Sequence, residues 1–160
     1  MRRSIRLLAV LLLLSTGCVS IGGQGAGGSA ADAMDQVRLE RIFEDQVEKI
    51  AGGAGYLRSQ VDGVDVVLIS DPATDRMQLI VPVPLTETVG VPHLVGMLQA
   101  NFHHGLDARY ALSDGVIYAT FAHRLSTLTE DDFIAGYRQS LDLARRFGDV
   151  TDGIDLDGER

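Results

Sequence analysis

The sequence predicts an α+β fold in which three helices and five strands follow the order α-β-β-β-α-β-β-α. Apolar residues recur on a 3.6-residue period in three segments, which is typical of helices. Shorter runs rich in β-branched residues lie between those segments and are typical of strands. Asp-Gly occurs twice between such runs. This dipeptide favours a β-hairpin, because a type I′ turn needs positive φ at both central residues.

The composition is that of an acidic, folded protein. The chain has 160 residues, of which 46% are hydrophobic and 22% are charged, and its net charge is −8. Residues 1–17 contain three basic residues, Arg2, Arg3 and Arg6, and no acids. The chain beyond residue 17 therefore has a net charge of −11. A protein with this charge repels phosphate backbones, which argues against nucleic acid as a partner.

Residues 1–17 predict a targeting signal. After the arginines comes an apolar run, Leu7–Leu14, which is too short to span a bilayer as a helix. Small residues then precede Cys18, the one cysteine. This arrangement resembles a bacterial lipoprotein signal with its lipobox. The resemblance implies cleavage before Cys18, lipidation of Cys18 and anchoring in a membrane through several acyl chains.

Three further expectations concern the ends of the chain. Val19 follows the cysteine, which by analogy with enterobacterial sorting favours the outer membrane, facing the periplasm. Residues 18–31 form an uncharged, glycine-rich tether, and residues 149–160 form an acidic, disordered tail. A plain secretory signal and a retained single-pass anchor remain as alternatives to lipidation.

The folded domain is expected over residues 32–148 and begins with a helix over Asp32–Ala51, ended by Gly52-Gly53. Its predicted apolar stripe consists of Leu39, Ile42, Phe43, Val47 and Ile50. Strands are then predicted over Tyr56–Val61 and Val64–Ser70, with Asp62-Gly63 as the turn between them. A third, half-buried strand is predicted from the alternation of Met77, Leu79 and Val81, which ends at Pro82.

A middle helix, a second hairpin and a last helix complete the predicted domain. The middle helix carries an apolar stripe formed by Val91, Leu94, Val95, Leu98 and Phe102. The hairpin turns at Asp114-Gly115 between Ala108–Leu112 and Val116–His123. In the last helix Thr129 is the expected cap, with Asp132 as its capping-box partner, and Gly148 is the expected stop. The predicted buried stripe of that helix is formed by Phe133, Tyr137, Leu141 and Ala144.

Three local features resemble the YbjN family and the class I type III secretion chaperones (the CesT-like group). The middle helix ends in Leu98-Gln-Ala-Asn101-Phe102, a hairpin follows, and Leu125-Ser-Thr-Leu128-Thr129 leads into a helix that begins with acids. The resemblance covers about Asp32 to Gly148. It implies an antiparallel five-stranded sheet packed with helices, frequent homodimers, and a protein-binding surface without an active site.

No motif in the chain indicates catalysis, a cofactor or a metal. Adjacent His103 and His104 point about 100° apart on a helix and so do not share a face. A zinc site needs three or four converging ligands. No serine has the Gly-x-Ser-x-Gly setting of a hydrolase nucleophile, and the glycines near the N-terminus precede any strand. We therefore expect no enzyme activity, no cofactor and no metal site.

The middle helix is the candidate partner-binding or dimer surface, through Leu94, Gly96, Met97 and Phe102. A glycine in mid-helix costs about 1 kcal/mol relative to alanine, and close approach of another backbone is one explanation for Gly96. Packing of Gly96 on the chain's own sheet is the alternative.

Three functions remain open from the sequence. The favoured one is an envelope lipoprotein that binds a protein or peptide in a chaperone-like way. A structural or assembly accessory that dimerises at the membrane is the second, and a metal-handling protein or small hydrolase is the third.

Overall fold

The computed structural model describes residues 33–85 and 88–151, and it has four helices and six strands within those residues. The predictions for the signal peptide, Cys18, the tether and residues 152–160 lie outside the described residues. The elements in chain order are α1 Gln36–Glu44, β1 Ala51–Gly53, β2 Tyr56–Val61, β3 Val64–Asp71, β4 Arg76–Pro82, α2 Val91–His103, β5 Arg109–Ser113, β6 Val116–His123, α3 Glu130–Arg145 and α4 Phe147–Thr151.

All six strands form one antiparallel sheet in the order β1-β2-β3-β4-β6-β5. Both predicted hairpins are confirmed, since φ is positive at Asp62 and Gly63 and again at Asp114 and Gly115. Strands β2, β3, β4 and β6 are interior strands, and β1 and β5 form the two edges of the sheet. The predicted α+β class with an antiparallel sheet is therefore correct, with six strands rather than five.

The extra strand lies within and just beyond the segment that was predicted to be helical. Helix α1 ends at Glu44, and the chain from Ala51 to Gly53 pairs with Tyr56 to Arg58 of β2. Gly52 has φ of +116°, and a Cβ at this position would overlap the carbonyl oxygen of Tyr56. The expected helix over Asp32–Ala51 was therefore too long: the helix ends at Glu44, and Gly52 and Gly53 pair with the next strand.

One face of the sheet is covered by α1 and α3. The strand residues on that face are buried and alternate with residues that are mostly half-buried on β3, β4 and β6. They pack against Phe43 from α1 and Phe133 from α3, which are both fully buried. The predicted core residues of the last helix are buried as expected: Phe133, Tyr137, Leu141 and Ala144. The ring of Phe43 meets the ring of Tyr137 edge-on at 6.3 Å, so the two helices lie side by side.

Glu40 joins α1 to the sheet. Its Oε1 accepts hydrogen bonds from the backbone N–H of Gly55 at 2.7 Å and from the hydroxyl of Ser70 at 3.2 Å. The side-chain amide of Gln36 donates to the same oxygen at 3.0 Å. One carboxylate therefore holds the helix, the β1–β2 turn and the end of β3 together.

Helix α3 begins as the sequence predicts. The Thr129 hydroxyl accepts a hydrogen bond from the backbone N–H of Asp132 at 3.1 Å, and the Asp132 carboxylate accepts from the backbone N–H of Thr129. These hydrogen bonds satisfy donors that the first turn of a helix would otherwise leave unpaired. The chain beyond α3 differs from the prediction, because Phe147–Thr151 forms a short helix where Gly148 was expected to end the domain.

Candidate interaction surfaces

The exposed side of α2 is strongly apolar. Val91 and Leu98 are each 70% exposed and Phe102 is 83% exposed. Their spacing of seven and four residues puts them on one line along the helix. Leu106, just beyond the helix, is 72% exposed. We call these four residues the α2 line. Contiguous apolar surface of this kind commonly marks a site of protein–protein contact.

The opposite side of α2 packs within the chain. Gly96, Met97 and Ala100 are buried, and Leu94 packs partly buried against the core. The helix contacts β5 and α4, and the ring of His93 stacks on that of Phe147 at 6.2 Å. Gly96 is therefore buried within this chain.

Of the four residues predicted to meet a partner, the structure exposes one. Phe102 lies on the α2 line, whereas Gly96 and Met97 face the core and Leu94 lies between the two sides. Val91 and Leu98 belong to the predicted stripe but not to the predicted contact residues. The sequence does not predict their exposure, because an apolar period does not tell which side of a helix meets the core.

The outer edge of β5 is closed by a side chain from α2. The Asn101 carboxamide accepts a hydrogen bond from the backbone N–H of Tyr110 at 2.7 Å and donates to the carbonyl of the same residue at 3.1 Å. These are the two bonds that a neighbouring strand would make at this position. The Gln139 side chain accepts from the N–H of Ala108 at 3.2 Å. Strand addition is therefore opposed at Tyr110 of β5 and at Ala108 just before the strand.

The buried hydroxyl groups have structural partners. Ser59 donates to the carbonyl of Lys49 at 2.6 Å, and Ser140 donates to the carbonyl of Gly136 at 2.8 Å. The Tyr110 hydroxyl donates to the carbonyl of Leu143 at 2.7 Å, and burial raises the pKa of Tyr110. Burial also raises the pKa of Tyr137. None of these four hydroxyls lies beside a side-chain base as a nucleophile would. The third buried serine, Ser70, donates to Glu40 in the contact that holds α1 to the sheet.

Four carboxyl groups have a lowered pKa: Asp71, Asp75 and Asp132 serve turns or a cap, and Asp65 bonds across from β3 to β2. Hydrogen bonds from Gln60 and Arg58 lower the pKa of Asp65, and those from Thr74 and the Ala73 N–H lower the pKa of Asp71. The pKa values of Asp75 and Asp132 are lowered by side-chain hydrogen bonds from Ser126 and Thr129, respectively. Such acids are ionised hydrogen-bond acceptors rather than proton donors.

Two further features of the described chain bear on its chemistry. Within these residues, no group of three or more His, Cys, Asp or Glu side chains is placed to hold a metal ion. None of the helices in the same residues has both the length and the apolar character that crossing a membrane requires.

Comparison with known proteins gives structural matches without sequence relatives. No protein-family model matches the chain, and no curated protein matches it. Among solved structures, the chain is similar to a chain of the ExsC–ExsE complex, with a TM-score of 0.57 and 17% identity over 72% of this chain and 95% of that one. It is also similar to a chain of the HopA1–SchA chaperone–effector complex, with a TM-score of 0.54 and 15% identity over 69% and 90% of the two chains.

A third similar structure is the heterodimeric ExoU–SpcU complex of the type III secretion system of Pseudomonas aeruginosa. Here the TM-score is 0.50, with 16% identity over 64% of this chain and 87% of that one. At these identities the comparisons establish the fold alone. They confirm the fold expected from the resemblance to type III secretion chaperones, whereas membership of the YbjN family stays a prediction.

Proposed function

We propose that this protein is a lipid-anchored component of a bacterial cell envelope whose α+β domain binds another protein or peptide without catalysing a reaction. The α2 line is the observation that carries the proposal. Three large apolar side chains along one side of α2, with Leu106 exposed just beyond the helix, are costly to leave in water, and an apolar partner surface would cover them.

The fold supports binding of a polypeptide. The HopA1–SchA structure is a chaperone–effector complex by its own description, and a chain of it shares this fold. Helical surfaces with apolar residues at positions i, i+3, i+4 and i+7 are a common means of recognising a polypeptide. Chaperone-like binding is therefore the function that the fold and the α2 line support together.

The anchor is supported by the sequence. A basic start, an apolar run of eight residues and Cys18 in a lipobox-like setting lie ahead of the glycine-rich residues 19–31. A lipid on Cys18 would place the domain at a membrane surface, and Val19 favours the outer membrane. Replacing Cys18 by serine should move the protein from the membrane fraction to the soluble fraction. Unchanged fractionation would argue against a lipid anchor.

A homodimer formed through the α2 line is the second candidate. The line carries no charge, and two copies related by a twofold axis could bury the same residues against each other. This arrangement fits a structural accessory that assembles at the membrane.

A paired charge substitution tests whether the α2 line contacts another protein, a second copy of this chain, or neither. Leu98→Glu with Phe102→Glu introduces two acids into the α2 line, and Val37→Glu is the matched control because Val37 is 76% exposed on α1. After chemical crosslinking in intact cells, the paired variant should lose its crosslinked partner while the control keeps it. If the lost species has twice the chain mass, the dimer is the function of this surface. If no crosslinked species depends on the α2 line, the proposal is wrong.

A further inference from the structure

Histidine alone can give a charge to the part of the chain that carries the α2 line. Residues 88–106, which we call the α2 segment, include the whole α2 line and contain no Asp, Glu, Lys or Arg. The titratable side chains in the α2 segment are those of His93, His103 and His104. Histidine is the side chain whose charge ordinarily changes between pH 5 and 8. The α2 line therefore lies in a segment that is uncharged while its histidines are neutral and becomes positive on acidification.

His103 is in direct contact with the α2 line. Its ring meets the ring of Phe102 edge-on, with 4.9 Å between the ring centroids. Phe102 is 83% exposed, and both His103 and His104 are exposed. The centroids of the two imidazole rings are 6.3 Å apart. A partner surface that covers Phe102 therefore also removes water from the His103 imidazole.

Among the described residues, no acid lies within ion-pair distance of these two imidazoles. None of the ion pairs there includes His103 or His104. Asp107 is the nearest acid along the chain, but its Oδ2 accepts a hydrogen bond from the Gln139 side chain of α3 at 3.3 Å. The helix α4 also contacts α2, and its acid is Asp149, which makes no ion pair with either imidazole.

Strand β5, the other element that packs against α2, supplies no negative charge either. The Arg109 guanidinium lies beside Gly105, the residue that follows His104. The Tyr110 hydroxyl stays neutral around pH 7, because burial raises the pKa of Tyr110. A proton on either imidazole therefore adds a positive charge beside the α2 line without a counter-ion.

We infer that binding of the partner to the α2 line depends on pH: it is tight while His103 and His104 are neutral and weaker once either is protonated. This inference rests on the proposed function and specifies how the same site is regulated. A protonated imidazole that an apolar partner covers loses its water without gaining a counter-ion, which is costly. The complex therefore excludes the proton, and by linkage the affinity falls as the pH falls. A partner that placed a carboxylate against His103 would reverse this sign.

His93 provides a different cause of pH dependence, which the experiment has to separate. Its Nδ1 accepts a hydrogen bond from the backbone N–H of Gly90 at 3.1 Å, at the start of α2. An imidazole nitrogen that accepts a hydrogen bond carries no proton. Protonation of this nitrogen would therefore act on the start of the helix and not on the exposed surface around Phe102.

Photocrosslinking from Leu98 on the full chain measures the pH dependence. The photoreactive amino acid p-benzoylphenylalanine replaces Leu98, and permeabilised cells that produce this protein are equilibrated at pH 7.5 or 5.5 before irradiation. We expect the yield of the crosslinked species to fall about tenfold at pH 5.5, which is the effect of one histidine proton excluded on binding. A fall of less than about threefold, or a rise, would overturn the inference.

Substitutions of the histidines assign the effect to these imidazoles. With His103→Gln and His104→Gln together, the yield should be the same at both pH values. His103→Lys keeps a positive charge at both, so the yield should already be low at pH 7.5. His123→Gln is the matched control and should keep the full pH dependence, because His123 lies at the end of β6, outside the α2 segment. The inference is wrong if the double glutamine variant keeps the pH dependence.

Far-UV circular dichroism at both pH values shows whether the helices persist. Loss of helix signal together with loss of yield would overturn the inference and assign the effect to His93. If a species forms equally well at pH 7.5 and 5.5, the proposed function stands and the pH inference fails. If no species forms from Leu98 at pH 7.5, both fail.

Discussion

The carboxylate of Asp75 binds Ser126 twice, across 51 positions of the chain. One oxygen accepts a hydrogen bond from the backbone N–H of Ser126 at 2.7 Å, and the other accepts from its hydroxyl at 2.7 Å. Arg124 adds an ion pair at 3.4 Å. Asp75 sits in the β3–β4 turn with φ of +53°, and Ser126 lies in the turn that leads to α3. This contact therefore fixes where the last helix begins relative to the sheet.

Replacing Asp75 by asparagine should lower the thermal unfolding midpoint by a few degrees at pH 7. Asparagine tolerates positive φ, so the variant removes the charge and one acceptor without straining the turn. Asp114→Asn is the matched control, because Asp114 also has positive φ but bonds only its neighbour Ser113.

The same contact predicts a dependence on pH. Hydrogen bonds from Ser126 lower the pKa of Asp75 in the folded state, so its stabilising effect is present above the unfolded pKa near 3.9. It is lost as the pH falls through the lower, folded pKa. The difference in unfolding midpoint between wild type and Asp75→Asn should therefore shrink as the pH is lowered from 5 toward 2. A difference that stays constant over this range would contradict the role of the charge.

Elements specified by local chemistry could be predicted from the sequence. The two Asp-Gly turns require positive φ at adjacent residues, and the cap of α3 needs only Thr129 and Asp132, three positions apart. Both are confirmed. The stripe of α3 was also predicted correctly, because its apolar period coincides with the only side of that helix that faces the sheet.

Features that depend on distant parts of the chain could not be predicted in this way. Val47 and Ile50 continue the apolar period of α1, yet the helix stops at Glu44, and from Ala51 the chain pairs with β2. In α2 the small residues Gly96 and Ala100 face inward, where the helix contacts α4 and β5, and Leu98 is left outside. The pairing of β4 with β6 also joins distant parts of the chain, and the sequence did not specify it.

Close packing between α3 and β6 makes Gly136 sensitive to substitution. A Cβ at Gly136 would overlap the buried ring of Phe121. Alanine normally stabilises a helix by about 1 kcal/mol relative to glycine, but overpacking a core costs about 1–3 kcal/mol. Gly136→Ala should therefore lower the free energy of unfolding, as measured by urea denaturation.

Two further variants isolate the steric cause. Gly53→Ala should be nearly neutral, because no atom lies within 4 Å of a Cβ built there and its φ is not positive. Phe121→Leu alone removes buried area, and combining it with Gly136→Ala should give less destabilisation than the sum of the two single changes. If the two changes in unfolding free energy are simply additive, the Phe121 ring is not the cause of the destabilisation by Gly136→Ala.

The Tyr110 hydroxyl should stabilise the folded state at neutral pH and make the free energy of unfolding fall at alkaline pH. It donates to the carbonyl of Leu143, so Tyr110→Phe should cost about 1 kcal/mol at pH 7. Burial raises the pKa of Tyr110 in the folded state above the unfolded value near 10. The unfolded chain therefore ionises first as the pH rises past 10, and stability falls. Denaturation between pH 8 and 11 should show a smaller fall in Tyr110→Phe than in wild type, with Tyr137 accounting for the remainder.

The Asn101 carboxamide should keep β5 from pairing with other strands. Asn101→Ala removes both hydrogen bonds to the Tyr110 backbone, which exposes the N–H and C=O of an edge strand. We expect concentration-dependent association by light scattering and faster hydrogen exchange at the Tyr110 amide. Asn101→Asp retains the acceptor for the Tyr110 N–H but loses the donor, so exchange at that amide should stay slower than in the alanine variant. If Asn101→Ala remains monodisperse under conditions in which wild type is monomeric, the closed edge is a consequence of α2 packing and does not protect the sheet. In that case the exchange rates alone would report the two lost hydrogen bonds.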